Sequence, residues 1–349
     1  MEIRDLLLLC IEKKASDLHL TESEPPILRI DGKLVRTAHD RLTGQELKRI
    51  IYSLLTNPQK ENFERDLELD FSVALPNLDR FRVNVHIQKG CVEAAFRRVP
   101  LEIPTMGSLG LPSIISELAR KPNGLVLVTG PTGMGKTTTL AAMIDQINNE
   151  RECLVLTVED PIEFIYKNKK CVIKQREVYA DTRSFAEALK HALRQDPNVI
   201  IVGEMRDLET ISTTLTAAET GHLVLATLHT PDAPQTIERI IDVFPPHQQQ
   251  QVKLQLSDCL QGVVSQLLLP KAGGAGGRVL GTEIMVGTPG IRNLIREQEI
   301  EQIPTLMQTG SQYGMKTMDK SLKDLYQKGF ISLDVAMSKV KNADEFKQL

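Results

Sequence analysis

At 349 residues the chain is longer than one hydrophobic core usually grows, so about two folded domains are expected. Hydrophobic residues at 41% and charged residues at 25% are ordinary globular usage and exclude disordered and fibrous classes. A net charge of -3 gives no basic footprint for nucleic acid or anionic lipid, and aromatic residues at 4% with no Trp leave few platforms for stacking bases.

Ile3, Leu6, Leu7, Cys10 and Ile11 recur at helical spacing, which predicts an opening amphipathic helix packed on its own domain. The apolar run 6–11 is far below the ~18 residues of a membrane span and no cleavable leader precedes it, so a cytoplasmic protein is expected. Phe81, Val83, Val85 and Ile87 alternate with polar residues. After the Lys89-Gly90 turn, Val92, Ala94 and Phe96 alternate with Glu93, Ala95 and Arg97. This pattern predicts a hairpin with one wet face, on which Arg82 and Arg97 stand. Pro100, Pro104, Pro112 and Pro122 mark an interdomain connector. The expected division is an N-terminal domain at 1–99, a linker at 100–122 and a second domain at 123–349.

From Gly124 the pattern changes to apolar, β-branched runs alternating with helices: LVLVT, LVLTVED, NVIIVGE and HLVLATLH. Such runs are strands of a mostly parallel sheet covered on both faces, so the fold class is α/β. One helix starts at Phe185, and another ends near Thr220 with Gly221 as its cap. The stretch 273–277 reads as a flexible surface loop. From about residue 290 short amphipathic helices follow, one placing Met318, Leu322, Leu325 and Tyr326 on its apolar face and capped by Gly329. Cys10, Cys91, Cys153, Cys171 and Cys259 stand far apart with no CxxC pair, and read as buried small hydrophobes.

Gly130, Pro131, Thr132, Gly133, Met134, Gly135, Lys136 and Thr137 spell GPTGMGKT, the pattern GxxxxGK[ST], between a predicted strand and a predicted helix. Glycines let the loop's N–H groups curl toward phosphates, and the helix N-terminus adds partial positive charge. Lys136 would reach the β- and γ-phosphates, Thr137 would bind Mg²⁺, and Thr138 closes the loop on the helix. In a parallel sheet the ligand sits at the carboxyl ends of the strands. Those ends read Glu159-Asp160-Pro161-Ile162-Glu163, Gly203-Glu204 and Thr227-Leu228-His229. NVIIVGE is similar to a Walker B strand with Gly203 where the Mg²⁺-binding Asp usually stands. Glu204 remains as an acid able to orient and activate a water, which is hydrolase chemistry. Glu163 is the acid that could assist the metal in place of the missing Asp. His229 suits sensing of the γ-phosphate, while His222 fits a structural or a reactive role equally. Neither histidine has a matching ligand set for a resident metal.

These stretches, with ASDLHL at 15–20, VEDPIEF, GEMRDLET, TAAETGHLVLATLHT and GIRNLIRE, closely resemble the PilT family of type IV pilus retraction ATPases, over nearly the whole chain. The resemblance implies an N-terminal PAS-like α+β domain joined to a RecA-like P-loop core with C-terminal helices, assembled as a homohexamer. It implies ATP hydrolysis with Mg²⁺, pilus disassembly through an inner-membrane platform protein, and Arg82, Arg194 and Arg206 as charge-neutralising arginines. The lack of the usual Walker B Asp is itself a family trait. Extension and secretion relatives carry a four-cysteine zinc element where 271–278 has no cysteine. GIRNLIRE is similar to the retraction motif AIRNLIRE, with Gly290 in place of its first Ala. Rival readings are a retraction accessory paralogue, an assembly or type II secretion ATPase and, more distantly, a nucleic-acid-translocating RecA-like motor. Whether Glu163 or Glu204 is the general base, and which arginine acts in cis, stay open.

Overall fold

The computed structural model describes residues 2–30, 32–74, 79–99, 102–273, 277–343 and 346. The chain divides into two compact units, Met1–Glu102 with Glu163–Ile165, and Ile103–Ile162 with Tyr166–Leu349. Among the described residues no helix is long and apolar enough to cross a membrane.

The first unit contains α1 (Ile3–Glu12), β1 (Asp17–Leu20), β2 (Ile27–Ile30), β3 (Lys33–Arg36), α2 (Gly44–Tyr52), α3 (Asn57–Asp66), β4 (Glu68–Ala74), β5 (Arg80–Gln88) and β6 (Cys91–Val99). Its strands form an antiparallel six-stranded sheet, ordered β3-β2-β1-β6-β5-β4. Leu6, Leu7 and Cys10 of α1 share one core with Leu47 and Ile51 of α2 and with Phe81, Val83 and Phe96 of the sheet. Thr43 and Glu46 start α2 with a reciprocal capping box, which satisfies two otherwise orphaned N–H groups. The hairpin forms as its alternation predicts, with Arg82 directly opposite Arg97. Its polar face is wet only in part. Glu93 is buried and accepts the Glu22 N–H at 3.0 Å, because β1 pairs with β6 and covers that side. Arg82 and Arg97 are both exposed, and Arg97 is tied to Asp17 at 3.0 Å.

The second unit contains α4 (Ser113–Ala119), β7 (Gly124–Thr129), α5 (Lys136–Glu150), β8 (Leu154–Glu159), β9 (Val172–Glu177), α6 (Phe185–Ala192), β10 (Val199–Val202), α7 (Leu208–Glu219) and β11 (Leu223–Leu228). It continues with α8 (Ala233–Asp242), α9 (Pro246–Cys259), β12 (Leu260–Pro270), β13 (Arg278–Val286), α10 (Pro289–Glu297), α11 (Ile303–Thr309), α12 (Met318–Gln327) and α13 (Leu333–Met337). The seven-stranded sheet runs β13-β12-β7-β11-β10-β8-β9, parallel throughout except for β13 at one edge. Every residue of β7, β10 and β11 is buried, as expected of strands covered on both faces.

Several side chains depart from the sequence reading. Cys91 and Cys153 are only half-buried, while Cys10, Cys171 and Cys259 are core residues, and all five are free thiols. On α12, Met318 and Leu322 are buried but Tyr326 is 40% exposed, so the apolar stripe is narrower than its spacing suggested. Residues 274–276 of the glycine-rich stretch lie outside the described residues. On α10, Thr288 accepts the Ile291 N–H and caps the helix despite Gly290. Arg292 donates to the carbonyls of Gly287 at 2.8 Å and Ser257 at 2.6 Å, and to that of Asp258, so it closes the carbonyl end of α9.

Candidate active site

The phosphate loop is built by backbone that only glycine accepts. Gly130 has φ +138, and a Cβ there would lie 2.5 Å from the Gln266 carbonyl oxygen on β12. Gly135, at φ +84, turns the chain into α5. The loop is fastened to β12, where the Leu268 N–H donates to Met134 Sδ at 3.2 Å and Gln266 Nε2 donates to Thr139 Oγ1 at 2.7 Å. Pro131, Thr132 and Gly133 are exposed, and Thr137 and Thr138 are half-buried in the first turn of α5.

Lys136 is buried and folded back on its own loop. Its Nζ donates to Gly130 O at 2.7 Å and Pro131 O at 3.1 Å, and lies 3.3 Å from His229 Nδ1. An ammonium can only donate, so His229 Nδ1 is the acceptor and the imidazole N–H is at Nε2. That N–H points at Glu204 Oε1, 3.0 Å away, and Glu204 Oε2 is 2.8 Å from Arg206. Thr132 Oγ1 also approaches His229 Nδ1, at 3.3 Å.

Sheet order explains why residues so far apart in sequence meet. Neighbours run β7, β11, β10, β8, and their carboxyl ends carry in turn the phosphate loop, His229, Glu204 and Glu159. Burial is the largest influence on the Glu204 carboxyl and pushes it up. Hydrogen bonds from Arg206 and His229, with the charge of the Arg206 guanidinium, outweigh burial and hold it below its ordinary value. Glu204 is therefore an ionised carboxylate at neutral pH. Arg206 is raised in turn, first by its hydrogen bond to Glu204.

A side chain at position 203, where the usual Walker B Asp would stand, is crowded. A Cβ at Gly203 would come within 3.1 Å of Val158 O and 3.2 Å of Glu159 Cα, where β10 passes the end of β8. Glu159 itself is buried and accepts Thr157 Oγ1 at 2.6 Å and Gln175 Nε2 at 3.2 Å. Among the described residues no group of three or more His, Cys, Asp or Glu side chains could hold a metal alone. The hydroxyl of Thr137 is the hard oxygen donor at the loop, which fits an Mg²⁺ that takes its remaining ligands from phosphates and water.

The sequence-derived residues fall into two groups. Thr132, Lys136, His229, Glu204 and Arg206 form one bonded run. Glu163 and Arg82 belong to the first unit, and Arg194 is exposed in the turn after α6, so none of these three is part of it. His222 Nδ1 faces the Ala217 carbonyl at 3.0 Å and helps close α7. Two cavities adjoin the run. One of about 830 Å³ starts at Gly135 and Thr138 and extends past Leu268, Lys271, Arg278 and Phe330. The other, about 360 Å³, is lined by Glu204, Arg206, His229 and Arg239. Arg239, in the last turn of α8, stands outside every motif the sequence offers.

The family described as type II/IV secretion system protein matches residues 2–275. The type IV pilus retraction ATPase PilT of Pseudomonas aeruginosa is 49% identical, covering 99% of this chain and 100% of its own. The type IV pilus ATPase PilU of the same organism is 38% identical, covering 99% of this chain and 91% of its own. A crystal structure of the pilus retraction motor PilT with bound ADP superposes with a TM-score of 0.94 at 47% identity, covering all of both chains. With a phosphate loop, an ionised strand-end glutamate and likeness along its full length, the chain belongs to the type II/IV secretion ATPases, among the PilT-like pilus ATPases.

Proposed function

We propose that the chain is a homohexameric motor that hydrolyses Mg²⁺-bound ATP to power type IV pilus retraction. The observation that carries this reading is the bonded run Lys136–His229–Glu204–Arg206, which joins the phosphate loop to a water-activating carboxylate. Lys136 contacts its own loop carbonyls and His229. Phosphates would draw Lys136 away and leave His229 Nδ1 facing the γ-phosphate. Between that anion and Glu204, an imidazole with protons on both nitrogens would donate to each and report the γ-phosphate to the carboxylate.

Glu204 is then the residue that holds the attacking water. While Arg206 and His229 occupy both of its oxygens it is a poor base. Transfer of Arg206 to the transferring phosphoryl group would free one oxygen at the moment it is needed. Arg82 and Arg194 are the further arginines offered to the nucleotide, Thr137 would hold Mg²⁺, and Glu163 is the acid that could assist the metal. The 830 Å³ cavity beside Thr138 has the size and mixed apolar and basic lining for a nucleoside. In this reading 1–99 forms the N-terminal domain, 100–122 the linker and 123–349 the ATPase domain. Nucleotide bridging these moving bodies biases their arrangement around a closed ring. The ring works in the cytoplasm against an inner-membrane platform protein of the pilus machine.

A second reading is the accessory paralogue; the chain is 38% identical to the pilus ATPase PilU and 49% identical to the retraction ATPase PilT, which favours the motor. Expression in a piliated bacterium lacking its retraction ATPase distinguishes the two. A motor restores pilus retraction, and its Glu204→Gln form does not. Normal ATP hydrolysis by the parent protein without restored retraction would turn the assignment to the accessory.

A further inference from the structure

The 360 Å³ cavity is lined by Glu204, Arg206, Leu228, His229, Thr230 and Arg239, two guanidinium groups beside one carboxylate. Glu204, the carboxylate among these residues, already receives both Arg206 and His229. Arg239 is exposed on α8, and no described ion pair involves it. The acids of the same helix, Glu238 and Asp242, line a different cavity with Glu299 and Glu301. Of the two guanidinium groups, Arg206 is engaged by Glu204 and lies within electrostatic reach of Asp160, which leaves Arg239 as the cation lining this site with no described ion pair.

The position of this site matters as much as its charge. His229 forms a shared wall. Its Nδ1 edge faces Lys136 and Thr132 of the phosphate loop, and its Nε2 edge faces Glu204, which lines the cavity. His229 is thus common to the contacts of the phosphate loop and to the wall of the cavity. Guanidinium groups bind tetrahedral oxyanions through paired N–H bonds, and a site of this volume holds orthophosphate with water around it.

We propose that this cavity is a station for the inorganic phosphate produced by hydrolysis, with Arg239 as the residue that anchors it on its way out. The inference rests on the ATPase reading and adds to it a second oxyanion site, separate from the phosphate loop.

The test is steady-state ATP hydrolysis by the assembled full-length protein, with inorganic phosphate or ADP added as inhibitor. Arg239→Ala should raise the inhibition constant of phosphate about tenfold, the loss of one charge-assisted contact, and leave that of ADP unchanged. Arg239→Lys should fall between the two. Arg239 is exposed, and unchanged ADP inhibition verifies the fold of the variant. Equal phosphate inhibition in parent and Arg239→Ala proteins overturns the proposal. So does a matching loss of ADP affinity, which would put Arg239 at the phosphate loop, or a loss of assembly, which would make its partner a neighbouring copy's carboxylate. A parent protein with no ATP turnover would instead remove the hydrolase reading itself.

Discussion

Lys136 Nζ lies 3.3 Å from His229 Nδ1, so the phosphate-binding ammonium and the histidine of the next strand are in contact. The pair joins substrate binding to the residue that touches Glu204. Lys136→Ala removes the charge that neutralises the phosphates and should lower hydrolysis at saturating ATP by at least about 10²-fold. His229→Ala should cost about 10²-fold as well, by disconnecting Glu204 from the loop, while ADP still binds. Phosphate release assays beside ADP titrations check both. A His229→Ala protein with parental turnover would falsify the relay.

Glu204→Gln separates shape from charge. The amide occupies nearly the same space, yet it cannot accept a proton from water, and its NH₂ group opposes the donors of Arg206 or His229. Turnover should fall by about 10²–10⁴-fold with ATP affinity retained. If the general base were Glu163, Glu163→Gln would show that loss and Glu204→Gln would not, so the two variants measured together assign the role.

The acid limb of kcat/KM tests the electrostatics of the free enzyme. Glu204 must be ionised to work, and in the folded protein it titrates below its ordinary value of 4.5 despite the opposing push of burial. Its interactions therefore contribute stability above the unfolded-state value and lose it as pH falls through the depressed one. Activity should persist to correspondingly low pH. Removing the guanidinium in Arg206→Ala leaves burial less opposed, so the acid limb of kcat/KM should move to higher pH. A limb that stays in place would show that Arg206 does not act on this carboxylate.

What was legible in the sequence follows from what local pattern encodes. The alternation of Phe81, Val83 and Val85 and the runs that became β7, β10 and β11 carry their period openly. By contrast β9 is a half-exposed edge strand, VIKQRE, with little apolar content to mark it. β12 begins at Leu260 directly after α9 ends at Cys259, with neither Gly nor Pro between them. The burial of Glu93 depends on β1, more than 70 positions away in the chain. Strand ends pointed to Glu204 and His229, but their contact with Lys136 required the order β7-β11-β10, which no local pattern contains.

Gly203 gives a prediction that runs against motif logic. Restoring the usual Walker B residue with Gly203→Asp would seem to supply the missing metal ligand. The backbone crowds such a side chain, since its first atom would stand 3.1 Å from Val158 O and 3.2 Å from Glu159 Cα. The Gly203 N–H also donates to Val158 O at 2.8 Å, so relieving the crowding would loosen the junction that aims Glu204. Overpacking of this kind typically costs about 1–3 kcal/mol. Gly203→Asp should therefore lower Tm and reduce turnover together, and Gly203→Ala should show a smaller loss of both. Thermal unfolding and ATP hydrolysis measured on the two variants decide the matter. A Gly203→Asp protein with parental Tm and faster hydrolysis would mean that the metal, rather than the packing of β8 against β10, governs this position.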